Sequence, residues 1–350
     1  VPTATAVPTP TPTAVPTPTP TPIPTPTPTC DYDLCVSKTD DSDDGTCDTD
    51  CSLREAIGDA TQGSIIEVPN GTYTLSLGNS IYIGSTMTLL GSGENTTIVQ
   101  AATERGVANS FIFQVAGGTT VSIRNMTIRY GRRPADAGGI HNTGHLTLIN
   151  VAVTDNIALA GNGGGIYNRS SASLVLIDSK VTNNTASEGG GGMYLNYSDP
   201  NLTNSIIWDN SPQSIYTSSG TPLITYSDIE GGWEGEGNID DNPQFTDPDN
   251  GDYTLMETSP CIDTGTIIED MEYCGDAPDM GAYEYCEEEC GAELADVTGD
   301  GQINVLDLVQ ISYYVLELST PAYPCAADYN QDGQVNILDL VQISNYILNP

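Results

Sequence analysis

Basic residues are the scarcest class in this sequence. Nine Lys and Arg stand against 47 Asp and Glu, for a formal charge of -38. So acidic a surface repels phosphate backbones and anionic headgroups, which excludes nucleic acid and anionic membranes as partners and leaves metal ions as the natural counter-charges. Apolar runs of membrane-spanning length are absent, so no membrane insertion is expected. An initiator Met and a secretory leader are missing as well, and a processed or trimmed product is the expectation. With only two His, His141 and His145, zinc is a poor use for the nine cysteines.

What is present is strongly segmented. Residues 1–29 are Thr-Pro repeats, which remove backbone donors and predict an extended polyproline II stalk, either carrying O-glycans on its threonines or serving as a bare linker. Residues 30–51 form an acidic, cysteine-bearing segment in which Asp40, Asp41, Asp43 and Asp44 read as a solvated loop. The cysteines fall in short-range groups: Cys30 with Cys35, Cys47 with Cys51, Cys261 with Cys274, and Cys286 with Cys290. That grouping predicts disulfides and an oxidising, extracellular setting. Cys286-x-x-x-Cys290 alone leaves zinc open, and Cys325 is left over as a buried thiol or an intermolecular bridge.

From Ile65 to Tyr283, short β-branched strands recur with a period of about 25 to 28 residues, within the range of solenoid repeats. The clearest are Thr120–Asn125, His145–Asn150 and Ser173–Asp178, whose odd positions are expected to point inward. Each is followed by a second short strand. Asn156, Asn184 and Asn210 end successive second strands and are placed to stack as an asparagine ladder, and Gly138-Gly139, Gly163-Gly164-Gly165 and Gly190-Gly191-Gly192 open new coils at expected positive φ. Ahead of the repeats, Cys51-Ser52-Leu53-Arg54-Glu55-Ala56-Ile57 predicts a short helix with Ser52 and Glu55 as a capping box. This string, with Asp241-Asn242-Pro243-Gln244-Phe245, Ser259-Pro260-Cys261-Ile262-Asp263-Thr264-Gly265 and Asp279-Met280-Gly281-Ala282-Tyr283-Glu284, resembles secreted bacterial right-handed parallel β-helix proteins of the Cys-Ser-Leu-Arg-Glu-Ala family. The likeness spans roughly residues 47–285 and implies a helix that plugs the solenoid end, where an open edge would otherwise aggregate. An antiparallel sandwich is the alternative fold.

The C-terminal 59 residues, 292–350, carry a duplicated motif. Asp296, Thr298, Asp300, Asn304 and Asp307 fall at positions 1, 3, 5, 9 and 12 of a calcium loop, with the Gln302 carbonyl at position 7 and Gly301 at the sharp turn; Asp328, Asn330, Asp332, Asn336, Asp339, Gln334 and Gly333 repeat the pattern 32 residues later. Oxygen donors throughout suit a hard cation, and two Ca2+ ions are expected. A short amphipathic helix follows each loop, but Pro321, Pro324 and the short stretch 292–295 leave no room for a helix before either. Two loop-helix halves of this kind resemble a type I dockerin. The resemblance implies a cohesin-like partner, read by loop positions 10 and 11: Val305, Leu306, Ile337 and Leu338. As residues alone, those four suit either helix-start packing or an interface.

The domain expectation is therefore stalk 1–29, disulfide-bearing segment 30–51, β-helix with capping helix 52–285, acidic linker 286–293 and dockerin-like module 294–350. Catalysis lacks a distinctive constellation. Arg124, Arg129, Arg132 and Arg133 lie near Asp136 and Asp155, but solvated turn charge accounts for them, and abundant carboxylates single out no glycosidase pair. The preferred reading is a secreted, non-catalytic surface or assembly protein bound through calcium to a cohesin-like module or to another copy of itself, head to tail in a filament. A calcium-dependent polysaccharide lyase or glycoside hydrolase, and a carbohydrate-binding cargo of a scaffold, are the alternatives.

Overall fold

The structure is a computed structural model, which describes residues 31–269, 271, 273–286, 294–316, 318–327, 329 and 335–348. The stalk, Cys30, Cys290, the side chain of Cys325, and Asp328, Asn330, Asp332 and Gln334 of the second loop lie outside them.

The main body is a right-handed parallel β-helix. Its largest sheet runs through Ser64–Val68, Met87–Gly91, Thr120–Arg129, His145–Thr154, Ser173–Ile177, Asn201–Thr203 and Leu223–Thr225. A six-stranded sheet stacks Ile81–Ile83, Phe113–Val115, Ile140–Asn142, Ile166–Asn168, Met193–Leu195 and Ile215–Thr217, and a third face carries Arg132–Arg133, Ile157–Ala158 and Thr185–Ala186. Every pairing on these faces is parallel and in register; Val121, Leu146 and Leu174 align, as do Ile123, Leu148 and Leu176. Those residues are buried. The inward set is thus the second and fourth residue of each run, not the odd positions, because side chains alternate and the apolar ones occupy those places.

Corners repeat as faithfully as strands. The first and second strands of a coil merge into one bent strand in Thr120–Arg129 and His145–Thr154, and the bend is made by a left-handed residue, Asn125 or Asn150, with Asp178 and Asn204 taking the same place in later coils. Asn and Asp tolerate positive φ better than other residues with a Cβ, which explains their recurrence. Of the glycine runs, Gly163 and Gly190 have positive φ, but in the first coil that place is held by Ala137. Gly138 and Gly164 serve close approach instead: a Cβ on either would lie 2.3 Å from the carbonyl oxygen of the next coil.

Inside the next corner the asparagine ladder forms. Asn156 Nδ2 donates to Asn184 Oδ1 at 3.0 Å, and Asn184 Nδ2 to Asn210 Oδ1 at 3.1 Å, each amide also reaching main-chain carbonyls of the core. Helix α1, Leu53–Asp59, closes the first end by burying Leu53, Ala56 and Ile57 on the core. Its capping box is complete: Glu55 N–H donates to Ser52 Oγ and Ser52 N–H to Glu55 Oε2. Arg54 grips Asp41 with two nitrogens at 2.7 and 3.1 Å, so Asp41 is buried rather than part of a solvated loop. A guanidinium fork on a carboxylate is the strong form of such a pair.

The disulfides depart from the expected grouping. Cys47 joins Cys51, and Cys35 is disulfide-bonded, but Cys274 joins Cys286. Cys261 is a buried thiol donating to Asp228 Oδ2 at 3.3 Å. The segment after Ser259 folds inward as the last coil closes, which buries Cys261 in an apolar cluster with Phe245, Tyr253 and Met280 and away from Cys274. Burial, then the neighbouring Asp228 carboxyl, pushes the Cys261 thiol up, and it stays protonated. Among the described residues no helix is long and apolar enough to cross a membrane.

Candidate functional site

Two helices carry the C-terminal module: α2, Val305–Val315, and α3, Ile337–Leu348. Ile311 and Ile343, both fully buried, pack with Ala295, Val297, Ala326 and Ala327 into a separate small core. Each helix starts in the same way. Leu306 N–H donates to Asn304 Oδ1 and Asn304 N–H to Asp307 Oδ2; Leu338 N–H donates to Asn336 Oδ1 and Asn336 N–H to Asp339 Oδ2. Loop positions 9 and 12 are therefore also the helix caps, which couples loop shape to helix onset.

In the first loop the outermost positions meet. Asp307 Oδ1 accepts from the Thr298 hydroxyl at 2.9 Å and its N–H at 3.1 Å, and the same hydroxyl lies 3.2 Å from Asp296 Oδ1. Asp296 also accepts N–H groups of Gly299, Asp300 and Gly301. Local burial would raise its carboxyl, but the donors, Gly301 and Gly299 foremost, outweigh that and hold its pKa below the ordinary value. Gly301 sits at φ 78°, as the loop's sharp turn needs.

Among the described residues no three Asp, Glu, His or Cys side chains gather as a metal cluster. The donors that do converge are two carboxylates and a hydroxyl, all oxygen, and this set fits calcium. Asp296, Thr298 and Asp307, with Asp300, Asn304 and the Gln302 carbonyl from the same loop, would hold the ion. Calcium there would supply the positive charge that draws the loop onto the start of α2. Asp300 Oδ1 instead accepts the Gln302 N–H at 2.9 Å.

The four expected partner residues are all on the surface: Val305, Leu306, Ile337 and Leu338 are 62, 53, 63 and 56% exposed. An open groove of about 410 Å³ runs between the helices, lined by Leu308, Val309 and Ser312 of α2 and Leu340, Val341 and Ser344 of α3. The lining residues are equivalent by the internal repeat.

On the β-helix the arginines grouped in sequence are each engaged by a different partner. Arg129 donates to Gln100 Oε1 and lies over the Tyr130 ring, Arg132 donates to the Ala108 carbonyl, and Arg133 covers Phe111. Asp155 meets Tyr253 and Arg105, whereas Asp136 meets Asn162. His145 is exposed at 2.9 Å from Ser173 Oγ, and His141 stands in a row of aromatic rings. Sequence reasoning missed Lys180, which is 1% exposed and pairs with Glu94 Oε1 at 2.8 Å while donating to the Tyr253 carbonyl. Its position at the head of a second strand gave no signal. The covering chain segments come from 86 residues before it and 73 after.

No curated protein matches the chain. Among solved structures it is similar to Geobacillus virus E2 ORF18, at 14% identity over 62% of this chain with a TM-score of 0.38; the chain spans 44% of that protein's length. It is also similar to pectate lyase Pel9A, at 13% identity over 67% of this chain and 91% of that one with a TM-score of 0.32. A pectin methylesterase in complex with a hexasaccharide is similar at 13% identity over 65% of this chain and 99% of that one, with a TM-score of 0.28. The family model "Dockerin type I domain" matches residues 294–348, the loops and helices just described, and this C-terminal segment is a type I dockerin domain.

Proposed function

We propose that the chain is an extracellular, non-catalytic β-helix anchored through its dockerin to a cohesin-like module, with two calcium ions holding the dockerin in its binding form. The observation that carries this reading is the exposure of the duplicated apolar pair at the head of each helix. Val305-Leu306 and Ile337-Leu338 would otherwise be placed inside, since apolar pairs in a water-facing helix start add nothing to this small core. They flank a groove already apolar at Leu308, Val309, Leu340 and Val341. Calcium would act on the partner indirectly, by ordering the loops from which both pairs project.

The test is capture by the full chain from the extracellular fraction of its source, with calcium and with chelator. The expected catch contains a cohesin-like module and is lost on chelation. It is also lost when both pairs become Asp, with the helical signal intact; both are changed together because each copy presents a similar apolar pair. Recovery of the chain itself would make the dockerin a joint of a head-to-tail polymer. Release of unsaturated product from a uronate polymer would replace the reading with a lyase.

A further inference from the structure

On the outer side of the six-stranded sheet, one residue per coil faces away from the core. Register aligns Tyr82, Gln114, His141, Tyr167, Tyr194 and Tyr216 in a single row. The rings touch in sequence: His141 and Tyr167 meet edge to face at 5.5 Å, Tyr167 and Tyr194 stack at 5.3 Å and 2°, and Tyr194 and Tyr216 at 5.1 Å and 11°. Tyr216 ends the row on the last strand and is 40% exposed, while Tyr82 at the other end is 60% exposed.

A polar row runs beside the rings, one turn away. Asn162 donates its N–H and side-chain amide to Asp136 Oδ1 at 2.8 and 3.2 Å, and the amide also reaches Glu188 Oε2 at 3.1 Å. Arg133 lies over Phe111, whose ring meets His141 at 6.0 Å. Burial first, then the charges of Arg133 and Arg169, hold His141 below its ordinary pKa, so the ring is neutral at pH 7. Cross-strand stacking accounts for the middle of the row. It gives no reason for the exposed tyrosines at its ends.

We propose that this row is a binding strip for a neutral, extended polysaccharide, lying along the solenoid with about one sugar per coil. Coils repeat at about 4.8 Å, close to the length of one pyranose in an extended chain. Charge selects the neutral class. Two arginines and two carboxylates beside the row cancel, which leaves nothing to anchor a polyanion, and the chain's -38 field repels one at a distance. Hydroxyl-rich sugars accept from guanidinium and amide and donate to carboxylate, while their apolar C–H faces suit the exposed ring surface of the end tyrosines, Tyr82 and Tyr216. The inference is independent of the docking reading, because the strip lies wholly on the β-helix.

The test is affinity electrophoresis of the full chain, in calcium and about 0.15 M salt, without any cohesin. The probes are soluble β-glucan, xylan and mannan, with polygalacturonate alongside. At least one neutral polymer should retard the chain and polygalacturonate should not. Tyr216→Ala should weaken binding by about tenfold, the scale of one lost aromatic contact, with the far-UV spectrum unchanged. Asn162→Ala gives a second reading from the polar row should Tyr216→Ala disturb the last coil. No retardation by any neutral polymer, preference for polygalacturonate, or retardation indifferent to both substitutions would overturn the proposal; cohesin capture would be untouched by any of these results.

Discussion

Removing the middle rung of the asparagine ladder, by Asn184→Ala, tests what holds the coils together. The Asn184 amide nitrogen shares its protons among Val153 O at 2.8 Å, Thr182 O at 2.9 Å and Asn210 Oδ1 at 3.1 Å, and its oxygen accepts the Asn156 N–H at 2.9 Å and the Asn156 amide at 3.0 Å. The side-chain bonds are worth about 1 kcal/mol each net, and a main-chain N–H left without an acceptor in a dry interior costs about 1–3 kcal/mol more. The carbonyls and the Asn156 amide keep other partners, so the Asn156 N–H is the group that matters. Together these give a loss of roughly 3–5 kcal/mol, or on the order of 10 °C in melting temperature for a body this size. Trp208 and Trp233 are the only tryptophans and both lie in the β-helix, so their emission follows its unfolding alone. Hydrogen exchange at the Asn156 amide should accelerate by more than at amides two coils away, since each coil leans chiefly on its neighbours. A loss below about 1 kcal/mol with that amide still protected would mean that water replaces the rung, and the ladder would then be spacing rather than support.

The other expectations concern charge and metal. Lys180→Met should destabilise by about 3–5 kcal/mol because it strands Glu94 in the interior, and Lys180→Met with Glu94→Leu should recover most of the loss; urea unfolding of both decides it. Burial raises the carboxyls of Asp228 and Glu284 to about 7 and of Asp178 to about 6. Since these exceed the unfolded values, their contribution is complete below about pH 4 and is lost as pH climbs through the folded values, so the closing segment should be more stable at acid pH and Asp228→Asn should flatten the profile. Chelation should reduce the helical circular-dichroism signal while leaving tryptophan emission unchanged, and Asp307→Ala should mimic it even in excess calcium.

Legibility in the sequence followed the distance over which each feature is encoded. The β-helix, its plug and the ladder depend on residues that recur at fixed offsets, so Val121, Leu146 and Leu174 or Asn156 and Asn184 announce one another. The pattern in residues 296–307 is shorter still, and its Asp296, Thr298 and Asp307 do come together. Features that need a distant segment were invisible: Lys180 is buried by chain on both sides of it, Asp41 became internal because Arg54 reaches back to it, and Cys274 found Cys286 because Cys261 had turned into the closing core. Sequence proximity held for Cys47 and Cys51 but misled about Cys261 and Cys274, because the last coil bends between them. The row from Tyr82 to Tyr216 lies between these cases, periodic but with one non-aromatic member, and only register joined it.

Division of labour between the two modules follows from their cores. The β-helix closes its first end with α1 and packs Phe245, Tyr253 and Met280 into a second apolar cluster, with Tyr253 lying against Asp155, Lys180 and Asn183 of successive coils. The dockerin core is smaller: Ile311, Ile343, Val297 and three alanines are buried, with Leu308, Leu340 and Ile347 among the partly buried residues around them, and calcium would supplement it. Calcium loss should therefore release the anchor while leaving the body folded, and any ligand carried along the tyrosine row would leave with it. Loss of docking without loss of cargo binding is the behaviour that arrangement dictates.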